Sequence, residues 1–119
     1  MRVWLYARLS NDDDREMNSL LNQREICQAF AEQHGYIIVG QSFDDNISGM
    51  SFDRRGLDEL TAAVDADMID AVIVKDLSRL GRHRTQTALF IDYLREHQVR
   101  VISATEGVDT FRDEDDLII

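Results

Sequence analysis

The sequence predicts an α/β fold: a three-layer domain with a mostly parallel central β-sheet flanked by helices. Three observations carry that prediction. Apolar strand-like runs alternate along the chain with stretches of helical period, in the order βαβαβαβ. The connections between them are short, which favours parallel strands joined by right-handed crossovers. The run IDAVIV at Ile69–Val74 is the strongest strand in the chain, and Arg2–Leu9, with little polar interruption, looks like a fully buried parallel strand.

Each element can be justified in turn. Arg2–Leu9 is the first strand, with Val3, Leu5 and Ala7 alternating with Trp4, Tyr6 and Arg8. Ser10 and the acids Asp12–Asp14 follow as a polar loop. Asn18 or Ser19 is placed to cap a helix running to His34, with Leu20, Cys27 and Ala31 on one face and Gly35 as its stop. The second strand is YIIVGQSF, Tyr36–Phe43, and Asp44–Phe52 is a turn-rich loop containing Asn46, Ser48 and Gly49. Leu57, Leu60 and Val64 space a second helix over Gly56–Asp67. After the third strand and the segment Leu77–Arg82, a third helix turns Ala88, Ile91 and Leu94 to the core, and Val99–Ala104 is the fourth strand.

Length and composition narrow the function classes. The chain of 119 residues is 44% hydrophobic and 30% charged, enough for one domain with a real core and too short for two. Its first ten residues, MRVWLYARLS, lack a signal-peptide cleavage pattern, and no run approaches the length of a membrane helix. Cys27 stands alone, which excludes a disulfide framework and a Cys-rich zinc site, and His34, His83 and His97 are too scattered for a metal cage. These features are those of a cytoplasmic protein. The end of the chain, DEDDLII at Asp113–Ile119, reads as the start of a further helix, so residues 1–119 are expected to be the amino-terminal part of a longer protein.

Acids outnumber bases 23 to 13, giving a net charge of −10, which argues against non-specific coating of nucleic acid. The distribution says more. Lys75, Arg79, Arg82 and Arg84 fall within ten residues, with Asp76 the one acid among them. In open parallel sheets, ligands sit beyond the carboxyl ends of the strands. There the chain places Arg8 and Ser10, then Asp44, Asp45 and Arg54, then Lys75, Asp76, Ser78, Arg79 and Arg82. A hydroxyl ringed by guanidinium groups suits attack on a phosphodiester, because planar arginine forks stabilise charge on non-bridging oxygens without changing protonation. The bland readings are that a serine closing a strand forms a turn, that Arg55, Arg95 and Arg100 are solvated surface charges, and that Asp12–Asp14 is a solvated loop.

Tyr6-Ala-Arg-Leu-Ser10 resembles the opening motif of the serine recombinases, the family of transposon resolvases, DNA invertases and large serine integrases. Ser19-Leu-x-x-Gln23 is similar to the family's first helix, and Phe43-Asp-Asp-Asn-Ile-Ser-Gly49 with Phe52-Asp-Arg-Arg-Gly-Leu57 to its second block. Lys75-Asp-Leu-Ser-Arg-Leu-Gly-Arg82 resembles its third, and Val99–Thr110 continues the likeness more weakly. The resemblance implies that Ser10 is a nucleophile on DNA and that Arg8, Arg54, Arg79 and Arg82 clamp the scissile phosphate. It implies support from Gln23, an arginine-orienting role for Asp45, and lesser roles for Lys75 and Ser78. Many small resolvases carry aspartate where this chain has Ser78, a departure that looks more like the large serine recombinases and leaves the general acid open, with Arg79 and Asp45 as candidates.

The same resemblance implies DNA as substrate, a dimer and a synaptic tetramer in the complete protein, and no obligatory metal or cofactor. The isolated residues 1–119, strongly acidic and without a DNA-reading domain, are expected to bind DNA weakly and not to cut it. Two alternatives compete. One is a non-enzymatic, receiver-like phosphate-binding module using Asp12–Asp14 and Asp76; the other is a recombinase relative that serves only in assembly.

Overall fold

Alternation in the first strand sets up two cores. A computed structural model describes residues 1–10, 19–45, 54–81 and 83–110. The elements are β1 (Arg2–Leu9), α1 (Leu20–Gln33), β2 (Ile37–Asp45), α2 (Arg55–Asp65), β3 (Ala71–Val74), a 3₁₀ turn at Leu77–Leu80, α3 (Arg84–Glu96), β4 (Arg100–Ser103) and β5 (Val108–Asp109). On one face of the sheet, Val3, Leu5, Ala71, Ile73 and Ile102 pack with Cys27 and Ala31 of α1. On the other, Tyr6, Val72, Val74 and Val101 pack with Leu60 and Val64 of α2 and with Ile91 and Leu94 of α3. Odd residues of β1 thus feed one core and even residues the other, the period-2 geometry of a strand buried on both faces. The three layers are those the sequence predicts.

The sheet order is β2-β1-β3-β4-β5. β1 runs parallel to β2 and β3, and β3 parallel to β4. The fifth strand departs from the expected four. After Ser103 the chain turns back at Gly107, whose φ of 69° suits glycine, and Val108–Asp109 pair antiparallel with β4. Two residues are too few to show alternation. Arg95 and Arg100, expected as solvated charges, hold this return instead: Arg95 Nη2 donates to the Thr110 carbonyl (3.0 Å) and Arg100 Nη1 to Asp109 (3.1 Å). β2 also runs on past Phe43 to Asp45, where a loop was expected. It lies at the sheet edge, leaving Ile37 64% and Phe43 60% exposed.

At the amino end of the strands, Asp70 is a clasp. Its carboxylate accepts from Arg2 N (2.8 Å), Nε (3.2 Å) and Nη2 (3.0 Å), while its backbone bonds the Arg2 carbonyl and the Arg100 amide. The Arg2 hydrogen bonds hold the Asp70 carboxyl below its usual value. A depressed acid stabilises the fold above its unfolded-state pKa, about 4, and loses that contribution as pH falls through its lowered native value. Asp70→Asn is therefore expected to lower the melting temperature at pH 7. Melts taken from pH 7 down to 2 should show the gap between variant and wild type closing on the acid side.

The three α-helices among the described residues end in the same way. Gly35 (φ 72°), Asp67 (φ 56°) and Gln98 (φ 59°) take the left-handed conformation just past α1, α2 and α3. In each, the next amide reaches back to the helix: Tyr36 to Ala31 (2.9 Å), Met68 to Ala63 (3.0 Å) and Val99 to Leu94 (2.8 Å). Only the first uses glycine. Gln98→Gly is expected to raise stability by about 0.5–1 kcal/mol, as the side-chain strain relieved exceeds the chain entropy added. Urea unfolding of the two proteins checks this.

Candidate active site

The rim begins where β1 outruns its neighbour. β1 pairs with β3 only through Val3–Leu5, so Arg8 lies beyond the reach of that strand. The amide of Gln23 takes the missing place: Nε2 donates to the Arg8 carbonyl (2.8 Å), and the Arg8 amide donates to Oε1 (3.2 Å). Gln23 is 0% exposed, presented by α1 one turn after Ser19, whose hydroxyl caps the helix through the Asn22 amide. Burying an amide side chain so deeply is tolerable because both its ends are paired.

Arg8 and Arg79 then lock each other's segments. The Arg8 guanidinium donates to the carbonyls of Ser78 (2.6 Å) and Gly81 (3.2 Å), in and just after the 3₁₀ turn. Arg79, 5% exposed, returns a bond from Nη1 to the Arg8 carbonyl (2.6 Å). Its Nε meets Asp76 Oδ1 (3.2 Å), and its Nη2 meets Ser78 Oγ (3.0 Å). Two buried guanidinium groups are thereby fixed beside the end of β1. Carbonyl dipoles hold much of their periphery, and these accept hydrogen bonds without cancelling charge. Ser10, half-buried, is the first residue past the strand and the second past Arg8.

A second network anchors the start of α2 to β2. Asp44, 1% exposed, accepts from the amides of Gly56 (2.7 Å) and Leu57 (2.9 Å) and from the Tyr6 hydroxyl (2.7 Å). Ser42 Oγ donates to the Gly56 carbonyl (2.7 Å) and accepts from Trp4 Nε1 (2.9 Å). A Cβ on Gly56 would collide with the backbone of Phe43, so only glycine lets the helix start this close to the strand. The result positions Arg54, which stands exposed at the N-cap of α2.

Of the expected site residues, Arg8, Gln23, Ser78 and Arg79 come together in one bonded cluster. Asp45 is exposed at the end of β2, in register with Leu9, and Lys75 follows β3 directly with its carbonyl bonded to Thr105 (3.0 Å). Arg82 lies outside the described residues, as do the acids Asp12–Asp14. Asp76, the third-strand acid that a receiver-like module would use, is engaged by Ser78 and Arg79. Among the described residues no group of three potential metal ligands occurs, and no helix is long and apolar enough to cross a membrane. The lone Cys27 is buried, and desolvation, with a smaller push from Asp76, raises its thiol to about 12, so it carries no thiolate at neutral pH.

From the sequence, Asp44 has no specific task and Asp76 has one only in the receiver-like alternative. For Asp44 a signal existed: Ser42 and Asp44 are buried at alternate positions while Gln41, Phe43 and Asp45 are exposed, a polar stripe continuing the strand period. Asp76 carried the weaker mark of an acid two residues before a serine at a turn start.

The resolvase N-terminal domain family model matches residues 3–119. The chain is 29% identical over 119 residues to the transposon Tn3 resolvase of Escherichia coli, covering all of this chain and 58% of that relative. It therefore spans less than two thirds of the length of that relative. Among solved structures, the N-terminal catalytic domain of TP901-1 integrase shares its fold, with a TM-score of 0.84 and 24% identity over 99% of this chain and 88% of that one. A resolvase family site-specific recombinase from Streptococcus pneumoniae is similar at a TM-score of 0.83 and 27% identity, covering 99% of this chain and 83% of that one.

Proposed function

Because the chain belongs to the resolvase N-terminal domain family, we propose that it is the catalytic domain of a site-specific DNA recombinase in which Ser10 is the nucleophile. The observation that carries this reading is the reciprocal lock of Arg8 and Arg79 two residues from a strand-end hydroxyl. Ser10 Oγ attacks the phosphorus, its proton passing to solvent or a neighbouring base. The bond from phosphorus to the 3′ oxygen breaks, and that oxygen leaves as a protonated hydroxyl. The products are a 5′-phosphoserine linkage and a free 3′-hydroxyl; after strand exchange the hydroxyl attacks the linkage and reseals the DNA. Each step exchanges one phosphoester for another, so the scheme calls for neither nucleotide hydrolysis nor a redox cofactor.

Arg8, Arg79, Arg54 and Arg82 take the non-bridging oxygens, where fixed positive charge lowers the barrier as charge develops. Gln23 fixes the Arg8 backbone, and Ser78 and Lys75 support the same rim. Asp45 orients an arginine, and it or Arg79 supplies the leaving-group proton. Dimers and a synaptic tetramer form in the complete protein, and the isolated domain alone does not cut DNA.

The test uses the complete gene product that carries this chain, with labelled duplexes spanning the junctions of the element that encodes it. A denaturant-resistant adduct on the 5′ ends, with 3′-hydroxyls that a polymerase can extend, supports the reading. Intact DNA binding without an adduct would move the assignment to an assembly-only relative. Magnesium-dependent labelling by an acyl phosphate would move it to the receiver-like alternative.

A further inference from the structure

We propose that Asp76 is a positioning residue for Arg79, acting together with the Ser78 hydroxyl; this rests on the reading of Arg79 as a phosphate-binding group. One carboxylate oxygen of Asp76, Oδ1, gathers three donors. It accepts from the Ser78 amide (3.1 Å), from Ser78 Oγ in a short contact, and from Arg79 Nε (3.2 Å). Ser78 Oγ in turn accepts from Arg79 Nη2 (3.0 Å), which closes a ring of three side chains. The remaining guanidinium nitrogen, Nη1, is on the Arg8 carbonyl (2.6 Å).

Every nitrogen of Arg79 is thus fixed by a neighbour, and the plane of the fork is set before any phosphate arrives. A helix cap needs only the bond to the Ser78 amide. The additional grip on Nε, together with Ser78 as relay to Nη2, aims the guanidinium and is unnecessary for ending a strand or starting a 3₁₀ turn. The serine is therefore part of the device, since its small hydroxyl can donate to Asp76 while accepting from Arg79. Orientation of this kind is worth much in rate, because an error of about 1 Å in a reacting geometry can cost about 100-fold.

The experiment measures single-turnover adduct formation at saturating protein, and DNA affinity separately, on the complete gene product with the junction duplexes. Asp76→Ala should slow adduct formation about 100-fold while leaving affinity within about twofold. Asp76→Asn, which keeps the acceptor oxygen, should recover to within about tenfold of wild type. In an Arg79→Ala background, Asp76→Ala should add no further loss, because it acts through that residue. A wild-type rate in Asp76→Ala, or an undiminished loss in the Arg79→Ala background, overturns the proposal. If Asp76→Ala fails to fold, Ser78→Ala replaces it, and a wild-type rate there overturns the relay. If the wild-type protein forms no adduct, the reading of the site falls. The hold on Arg79 is then read from exchange of its Nε proton with solvent, slow in wild type and fast in Asp76→Ala; equal exchange in both overturns it.

Discussion

Ser10→Ala is expected to lower DNA cleavage at least about 10⁴-fold, the scale seen when a covalent nucleophile is removed. Ser10 is half-buried at the exit of β1, and its backbone continues a strand fixed on both sides, by Asp45 pairing with Leu9 and by Gln23 on Arg8. Loss of one hydroxyl there costs roughly 1 kcal/mol of stability, so the fold should survive. Arg8 and Arg79, fixed beside the end of β1, are held mainly by backbone carbonyls and by Asp76, so the arrangement proposed to bind the phosphate should also survive. The measurement pairs single-turnover cleavage with a thermal melt and a DNA-binding titration. Binding and melting near wild type with cleavage lost is the expected pattern. Cleavage within tenfold of wild type would assign the attack to another group.

The second large effect is on stability. Asp44→Ala leaves the Gly56 and Leu57 amides and the Tyr6 hydroxyl without their acceptor, two of the three bonds fully buried and the Leu57 bond partly so. Buried donors left unpaired cost about 1–3 kcal/mol each, and partial relaxation at the helix start brings the expected total to about 3 kcal/mol. A loss of that size lowers the melting temperature by roughly 10 °C. Tyr6→Phe removes a single donor and should cost about 1 kcal/mol. Because Arg54 rides on the N-terminus of α2, Asp44→Ala should also impair cleavage at temperatures where the domain still folds. Denaturant titrations of the three proteins decide the stability question. Equal midpoints for Asp44→Ala and wild type would show that α2 is held by something other than this carboxylate.

The layers were legible because alternation in β1 and the spacing of the helices report burial directly, whereas β2, at the sheet edge, leaves its apolar Ile37 and Phe43 exposed. Val3 and Leu5 against Trp4 and Tyr6 already divide the two cores. What stayed hidden was short or polar. β5 has two residues and is held by Arg95 and Arg100, whose partners lie across a turn rather than along an element. β2 reads on to Asp45 only once Asp44 is known to be buried under α2, a tertiary fact. At the site, motif spacing brought Arg8, Gln23, Ser78 and Arg79 together, but it could not show that the arginines grip each other's backbone. Nor could it show Asp76 closing the ring, because that depends on the fold of one 3₁₀ turn.

Every role proposed for the rim depends on Ser10 forming the bond to DNA. The most direct test is to trap the adduct made by the complete gene product, digest it, and sequence the DNA-linked peptide by mass spectrometry. A 5′-phosphate carried on Ser10, within the segment around Tyr6–Ser10, is the expected result. Attachment to any other residue, or strand cutting that proceeds with no covalent adduct, would contradict it.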